Sequence, residues 1–323
     1  MHGVFLDRAS LDLGDLDFSA LTHALDRFTG YAATAADEVA VRIRGADIVI
    51  VNKVVLDAAT LATAAALKLI CVAATGTNNV DLDAARARGI PVVNCRGYGT
   101  PAVAQHAILL MLALSTNFLA YQRDLAGGAW PRAAQFCLLD HPIRELAGKV
   151  LAVVGWGELG QGTARLAEAF GMDVRIAQLP GRPAGPGRVP LDELLALADV
   201  VTLHCPLNDT TRNLFDAARL ARMKPTALLI NTARGGLVDE AALAGALRAG
   251  RLGGAGFDVL SSEPPRAGNP LLAADIPNLI VTPHNAWGSV ESRQRMLGQI
   301  AENISPSASR DRRRRRRPAC ASR

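Results

Sequence analysis

The sequence predicts an α/β protein made of two Rossmann-like, doubly wound parallel-sheet domains. Three observations carry this expectation. Apolar runs of three to five residues alternate with helical patterns, half of the 323 residues are apolar, and one strand–turn–helix junction holds three glycines at a fixed spacing. Alternating strand and helix signals imply a parallel sheet covered on both faces. At roughly 150 residues per domain the length allows two, each large enough to bury a core.

The first series begins near Asp47-Ile-Val-Ile-Val and continues through Leu69-Ile-Cys-Val-Ala and Val92-Val-Asn, with helical patterns at 57–67 and 81–88. A long helical stretch follows at 102–125, and its strongly apolar first half suits packing against a sheet or a partner subunit. Residues 127–142 are polar and contain proline, and read as a loop. A second series starts at Lys149 and runs through Val174-Arg-Ile, Val200-Thr-Leu-His, Ala227-Leu-Leu-Ile-Asn, Ala255-Gly-Phe-Asp-Val and Leu279-Ile-Val-Thr. Two series predict two sheets.

The glycine junction lies at the start of the second series. Residues 150–160 read Val-Leu-Ala-Val-Val-Gly-Trp-Gly-Glu-Leu-Gly, and a helical pattern follows directly at 163–170. In such a turn Gly155 permits the bend, Gly157 lets a pyrophosphate approach the backbone, and Gly160 lets the helix pack close to the strand. A dinucleotide is the implied ligand.

Composition narrows the setting. The formal charge of +5 comes from the end of the chain, where residues 310–323 carry eight arginines against one acid, so the rest stands at −2. A mildly acidic body gives no reason to expect nucleic-acid binding unless the arginine tail is a genuine basic arm. No apolar run is long enough to span a bilayer, and the N-terminus has no basic-then-apolar leader, so a cytoplasmic location is expected. The five cysteines are scattered and form no C-x-x-C pair, which reads as reduced thiols without a metal site.

Five motifs in order then define a resemblance. Gly155 to Gly160, His204-Cys-Pro-Leu, Asn231-Thr-Ala-Arg-Gly-Gly-Leu-Val-Asp-Glu, Gly256-Phe-Asp-Val with Glu263-Pro-Pro, and Thr282-Pro-His-Asn-Ala together resemble the D-isomer-specific 2-hydroxyacid dehydrogenases, nearest the glycerate dehydrogenase or hydroxypyruvate reductase branch. The resemblance extends to about Ile304. It implies an NAD(P)-binding Rossmann domain, placed at 100–285, inserted into a smaller flavodoxin-like substrate domain formed by 1–99 and 286–304. It also implies reduction of a small 2-oxo acid, such as hydroxypyruvate or glyoxylate, and a homodimer. Formate dehydrogenases share the architecture but place glutamine where Glu263 stands. Co-repressor proteins on the same fold bind NAD(H) as switches and can keep the catalytic residues, so a non-enzymatic role stays open on sequence.

Reducing a 2-oxo acid needs a cation for its carboxylate, a proton donor for the nascent alkoxide and a hydride source. Arg234 follows an apolar strand at the edge where such clefts open, and its planar fork suits a carboxylate. His284, set after another strand and behind Pro283, titrates near neutrality and suits general acid–base work. Glu263 on its other ring nitrogen would fix the tautomer and stabilise the imidazolium. The remaining histidines, His106 and His204 among them, read as structural.

By the resemblance, substrate contacts also come from Lys53 and from the turn Ala74-Thr-Gly-Thr, with Thr75 and Gly76. On the cofactor side it implies turn amides from Glu158 and Leu159, adenosine contacts from Cys205 and Pro206, ribose contacts from Thr232 and Ala233, and a bond from Asp258 to the carboxamide. Arg234 and His284 border the same cofactor. The position that carries an acid in NAD-selective domains holds Gln178, which cannot repel a 2′-phosphate, while Arg182 and Arg188 could pair with one. NADP or NAD is the expected cofactor, with NADPH favoured.

After Ala301-Glu-Asn-Ile the chain leaves the family pattern for Ser305-Pro-Ser-Ala-Ser and an arginine run. A reading-frame shift in a GC-rich gene would write such an ending. Residues 305–323 have almost nothing apolar to bury and are expected to be disordered.

Overall fold

The computed structural model describes residues 1–181, 183 and 185–305, and the chain divides into two compact units. The first comprises Met1–Gly99 and the segment from Gly288 onward; the second is Thr100–Trp287. The arginine run lies outside the described residues.

In the first unit β1 (His2–Phe5), α1 (Ser19–His23), β2 (Arg27–Gly30), α2 (Val39–Ile43), β3 (Ile48–Val51), α3 (Ala58–Thr63), β4 (Leu69–Val72), α4 (Leu82–Ala87) and β5 (Val92–Asn94) follow one another. The strands form a five-stranded parallel sheet in the order β2-β1-β3-β4-β5. All residues of β3 and β4 are buried, as expected of central parallel strands. Asp57 and Asp81 cap α3 and α4, accepting from the backbone N–H of Thr60 and Ala84.

The sheet starts earlier than the sequence pattern predicts, because β1 and β2 precede Asp47. β2 reads Arg-Phe-Thr-Gly, and none of its residues is buried, as suits an edge strand. It presents no apolar run to recognise.

The second unit contains α5 (Thr100–Ser115), α6 (Phe118–Ala126), β6 (Val150–Val154), α7 (Glu158–Ala169), β7 (Asp173–Gln178), β8 (Arg188–Pro190), α8 (Leu191–Leu197), β9 (Val200–Leu203), α9 (Ala217–Leu220), β10 (Leu228–Asn231), α10 (Glu240–Arg248), β11 (Gly254–Phe257) and β12 (Leu279–Val281). Its seven strands are parallel in the order β12-β11-β10-β9-β6-β7-β8. Strand order reverses between β6 and β9. Ligands of open α/β sheets bind outside the carboxyl ends of the strands at such a switch point.

Two expectations need correction here. The stretch 102–125 is not one helix: α5 and α6 meet at a 60° bend. Thr116 Oγ1 bonds back to Leu112 O, and Asn117 takes a left-handed conformation (φ 51°) with its Nδ2 donating to Pro142 O. Second, β8 is a strand that the second series, passing from Val174-Arg-Ile to Val200-Thr-Leu-His, does not include; it lies among glycines and prolines and adds an edge to the sheet beside β7. Among the described residues no single helix is long and apolar enough to cross a membrane.

The last element, α11 (Val290–Ile304), belongs to the first unit. Arg293 on α11 is 7% exposed; its guanidinium holds both oxygens of Asp15 and donates to Leu11 O and Gly288 O. The Arg293 hydrogen bond carries the Asp15 carboxyl down to about 2.

Candidate active site

The residues that matter in the second unit stand just beyond the carboxyl ends of its strands. β6 ends at the glycine turn. Gly155 has φ +108°, and a Cβ there would lie 2.5 Å from Cys205 N, so the loop after β9 presses directly on the turn. A Cβ on Gly160 would lie 2.1 Å from Gly155 O. At Gly157 it would meet nothing within 4 Å. The first and third glycines are therefore demanded by the chain itself, whereas the second leaves open space at the N-terminus of α7. Glu158 and Leu159 begin that helix, and its unpaired N–H groups suit a pyrophosphate.

Other positions around the turn are consistent with a dinucleotide. Cys205 is buried beneath it and Pro206 is exposed. Thr232 and Ala233 are buried after β10, and Thr232 Oγ1 has no hydrogen-bond partner among the described residues. The His204 Nδ1 is likewise buried without a partner there, while its Nε2 lies 3.0 Å from Thr202 Oγ1. Burial pushes the His204 imidazole down to about 4.

At the end of β7 the Gln178 amide is engaged by its own loop: Nε2 donates to Leu179 O and Pro183 O, and Oε1 accepts from Gly185 N. An amide thus stands where NAD-selective domains carry a carboxylate. Arg188 is half-buried in β8, and Arg182 lies outside the described residues.

β10 leads to Arg234. Asn231 shapes this turn, its Oδ1 accepting from Ala233 N and its Nδ2 donating to Arg234 O. Arg234 Nη1 donates to Ala233 O.

His284 and Glu263 meet directly. His284 Nδ1 lies 2.5 Å from Glu263 Oε2, and both side chains are one-third exposed. Glu263 Oε1 accepts from Leu260 N. Burial pushes the Glu263 carboxyl up, but the His284 hydrogen bond, the Leu260 N–H and the charges of His284 and Arg234 outweigh it and leave the group below its ordinary range. The influence of Arg234 places the three predicted residues in one electrostatic neighbourhood. An ionised carboxylate at Nδ1 keeps a hydrogen on that nitrogen and leaves Nε2 to exchange protons.

Two carboxylates that sequence reading either missed or assigned elsewhere hold this pair in place. Glu240, 8% exposed at the start of α10, accepts from Ser261 N, Ser261 Oγ and Asn269 Nδ2, fixing the loop that carries Glu263. Asp258, 1% exposed after β11, accepts from Thr282 Oγ1, Asn285 N and Ala286 N. His284 lies between these donors at φ +53°. Hydrogen bonds to a charged group contribute about 1.5–3 kcal/mol each, and a non-glycine residue at positive φ costs on the order of 1–3 kcal/mol. The three bonds therefore outweigh the strain. Asp258, expected to meet a carboxamide, is first a clamp on the His284 loop, with one acceptor position of Oδ2 left over.

In the first unit Lys53 is exposed after β3, and Thr75 and Gly76 follow β4, the adjacent strand. Asp7, unsuspected from sequence, accepts from Asn52 N, Lys53 N and Val54 N and so fixes the Lys53 turn. Asn94 Nδ2 donates to Thr75 O.

A strand-end surface fitted for a dinucleotide beside an acid–base pair marks a class, the nucleotide-dependent oxidoreductases. Residues 108–286 match the NAD-binding domain of the D-isomer-specific 2-hydroxyacid dehydrogenases. The chain is 46% identical to glycerate dehydrogenase of Methylorubrum extorquens over 302 residues, 93% of this chain and 94% of that protein. It is 37% identical to hydroxypyruvate reductase of Blautia hydrogenotrophica over 94% of this chain and 96% of that one. The solved TT0316 protein from Thermus thermophilus superposes with a TM-score of 0.82 at 35% identity, covering 94% of this chain and 96% of that chain. This chain belongs to the D-isomer-specific 2-hydroxyacid dehydrogenase family, in its glycerate dehydrogenase branch. It is an oxidoreductase acting on the CH–OH group of 2-hydroxy acids, with an NAD-binding Rossmann domain.

Proposed function

We propose that the protein reduces hydroxypyruvate and glyoxylate to the corresponding 2-hydroxy acids, D-glycerate in the first case. The observation that carries this reading is the His284–Glu263 pair within the field of Arg234. Bound reduced nicotinamide supplies the hydride to the keto carbon. Arg234 binds the substrate carboxylate through two parallel N–H donors and draws electron density from the ketone. His284 delivers its Nε2 proton to the oxygen as charge develops there. Glu263 stabilises the imidazolium before transfer and keeps Nδ1–H in place afterwards. In oxidation the same nitrogen takes the proton back. Lys53 and the amides of Thr75 and Gly76 add contacts to the substrate.

The cofactor residues are Gly155, Gly157, Glu158, Leu159 and Gly160 for the pyrophosphate, Cys205 and Pro206 for the adenosine, and Thr232, Ala233 and Asp258 for the nicotinamide side. NADPH is the preferred partner, since Gln178 brings no negative charge against a 2′-phosphate and Arg182 and Arg188 supply positive charge to pair with it. Purified protein is expected to oxidise NADPH with hydroxypyruvate at a kcat/KM at least equal to that with NADH. A preference for NADH of about tenfold or more, worth about 1.4 kcal/mol, would reject the cofactor assignment. Absence of turnover on every small 2-oxo acid would reject the enzyme reading in favour of a nucleotide-binding switch.

The working form is a homodimer. α5, α6 and the following loop expose Leu109, Phe118, Trp130, Phe136, Leu139 and Ile143, each more than half exposed. Apolar exposure on that scale suits a protein interface, and a second copy is the occupant assigned. Light scattering is expected to give twice the chain mass of 34.0 kDa; a single-chain mass at micromolar concentration would overturn it. We assign the enzyme to the cytoplasm, a compartment that keeps cysteine thiols reduced.

A further inference from the structure

His106 stands in the second turn of α5, and its side chain is 14% exposed. Its Nε2 lies 2.9 Å from Thr282 Oγ1, and the Thr282 hydroxyl donates to Asp258 Oδ1 at 2.6 Å. The carboxylate can only accept, so the hydroxyl hydrogen points to Asp258, and Thr282 is left with a lone pair for His106. The ring nitrogen must then carry a hydrogen. Burial holds the His106 imidazole below its ordinary range against the pull of Asp258, whose Oδ1 is 3.7 Å away. The ring is therefore the neutral tautomer with hydrogen on Nε2, and hydrogens run in one direction, from His106 to Thr282 to Asp258.

The direction has a consequence for the loop. Asp258 also accepts from Asn285 N and Ala286 N, so its three donors lie on both flanks of His284, two residues before it and one and two after it. An imidazole donating to Oγ1 fixes the hydroxyl rotor, and that fixes one of the three bonds. With the donor removed, the hydroxyl can turn away and the N-terminal flank of His284 loses its anchor.

We propose that His106 is a positioning residue for the acid–base loop, acting through Thr282 and Asp258 to hold His284 in its left-handed conformation. The proposal rests on the assignment of His284 as the proton donor. It adds a residue on a different element, 178 positions away in sequence, to the apparatus that orients that donor.

The test uses the full chain with hydroxypyruvate and reduced nucleotide. His106→Phe keeps a flat ring and removes the donor; it is expected to lower kcat by about ten- to a hundredfold, the scale of a small misplacement of a reacting group. KM for hydroxypyruvate stays within about twofold, because the Arg234 clamp is outside the relay. His106→Gln, whose amide N–H can donate to Thr282, recovers most of the loss. Thr282→Val reproduces it, and the double variant His106→Phe/Thr282→Val is no worse than the more damaged single one. If His106→Phe fails to fold, His106→Gln and the histidine tautomer carry the test, since Thr282→Val removes a clamp on Asp258 whatever His106 does. Wild-type kcat in either single variant, or losses that multiply in the double variant, would overturn the proposal. A readout independent of turnover is the nitrogen NMR spectrum of isotope-labelled histidines at neutral pH. Hydrogen on Nε2 of His106 is expected, and hydrogen on Nδ1 instead would overturn the relay. A wild-type protein without turnover refutes the catalytic assignment of His284, and with it the proposal, even if the tautomer is as expected.

Discussion

Replacing His284 with alanine is expected to lower kcat for hydroxypyruvate by about 10³- to 10⁴-fold, the upper range for loss of a general acid and about 4–5 kcal/mol of barrier. The loss is chemical. The imidazole touches Glu263 on one nitrogen; in the proposed mechanism the other serves the substrate, so the substitution removes the proton donor itself. Nucleotide affinity should change little, because the glycine turn follows β6 while His284 follows β12, at the far edge of the same sheet. Steady-state kinetics together with nucleotide titration by fluorescence separate the two effects. A variant with near wild-type kcat would remove His284 from the mechanism; one that lost nucleotide binding and kcat in parallel would reduce it to a structural residue.

Arg234→Lys should give the second largest effect, a fall in kcat/KM of about 10³-fold, most of it as raised KM. Lysine keeps the charge, so Glu263 still sits in a positive field, but the planar two-pronged donor is lost. The expected damage is therefore geometric, and the measurement that shows it is KM for hydroxypyruvate against KM for a substrate analogue lacking the carboxylate. The first should rise steeply and the second should not. An unchanged KM for hydroxypyruvate would mean that Arg234 does not hold the carboxylate.

The parts of this molecule that could be read from sequence are those written locally. The turn from Gly155 to Gly160 announces itself because its three glycines are contiguous with the strand and helix they join. Arg234, Glu263 and His284 are legible because each sits in a short motif whose residues are consecutive. What escaped is non-local or has no pattern. β2 is an exposed edge strand without an apolar run, and β8 is three residues among glycines and prolines. The break at Asn117 depends on a side-chain bond to Pro142, 25 residues on. Glu240, Asp258 and Asp7 act on loops 21, 24 and 45 positions away, so their roles as clamps appear only when the chain is folded. His106 reads as structural for the same reason: its partner is 176 residues distant.

The staple between Arg293 and the segment of Leu11 and Asp15 bears on how the protein is made. Translation delivers residues 1–99 first, yet the helix that seals them places Met296 O against Cys95 Sγ and Gln299 against Arg96, and these partners leave the ribosome 201 and 203 residues later. The unit from Thr100 to Trp287 is contiguous and can complete its core while synthesis continues. The N-terminal unit is thus the first to be synthesised and the last to be finished, and until α11 emerges the nascent chain carries the unsealed faces of Leu11 and Cys95, the surfaces a chaperone would meet.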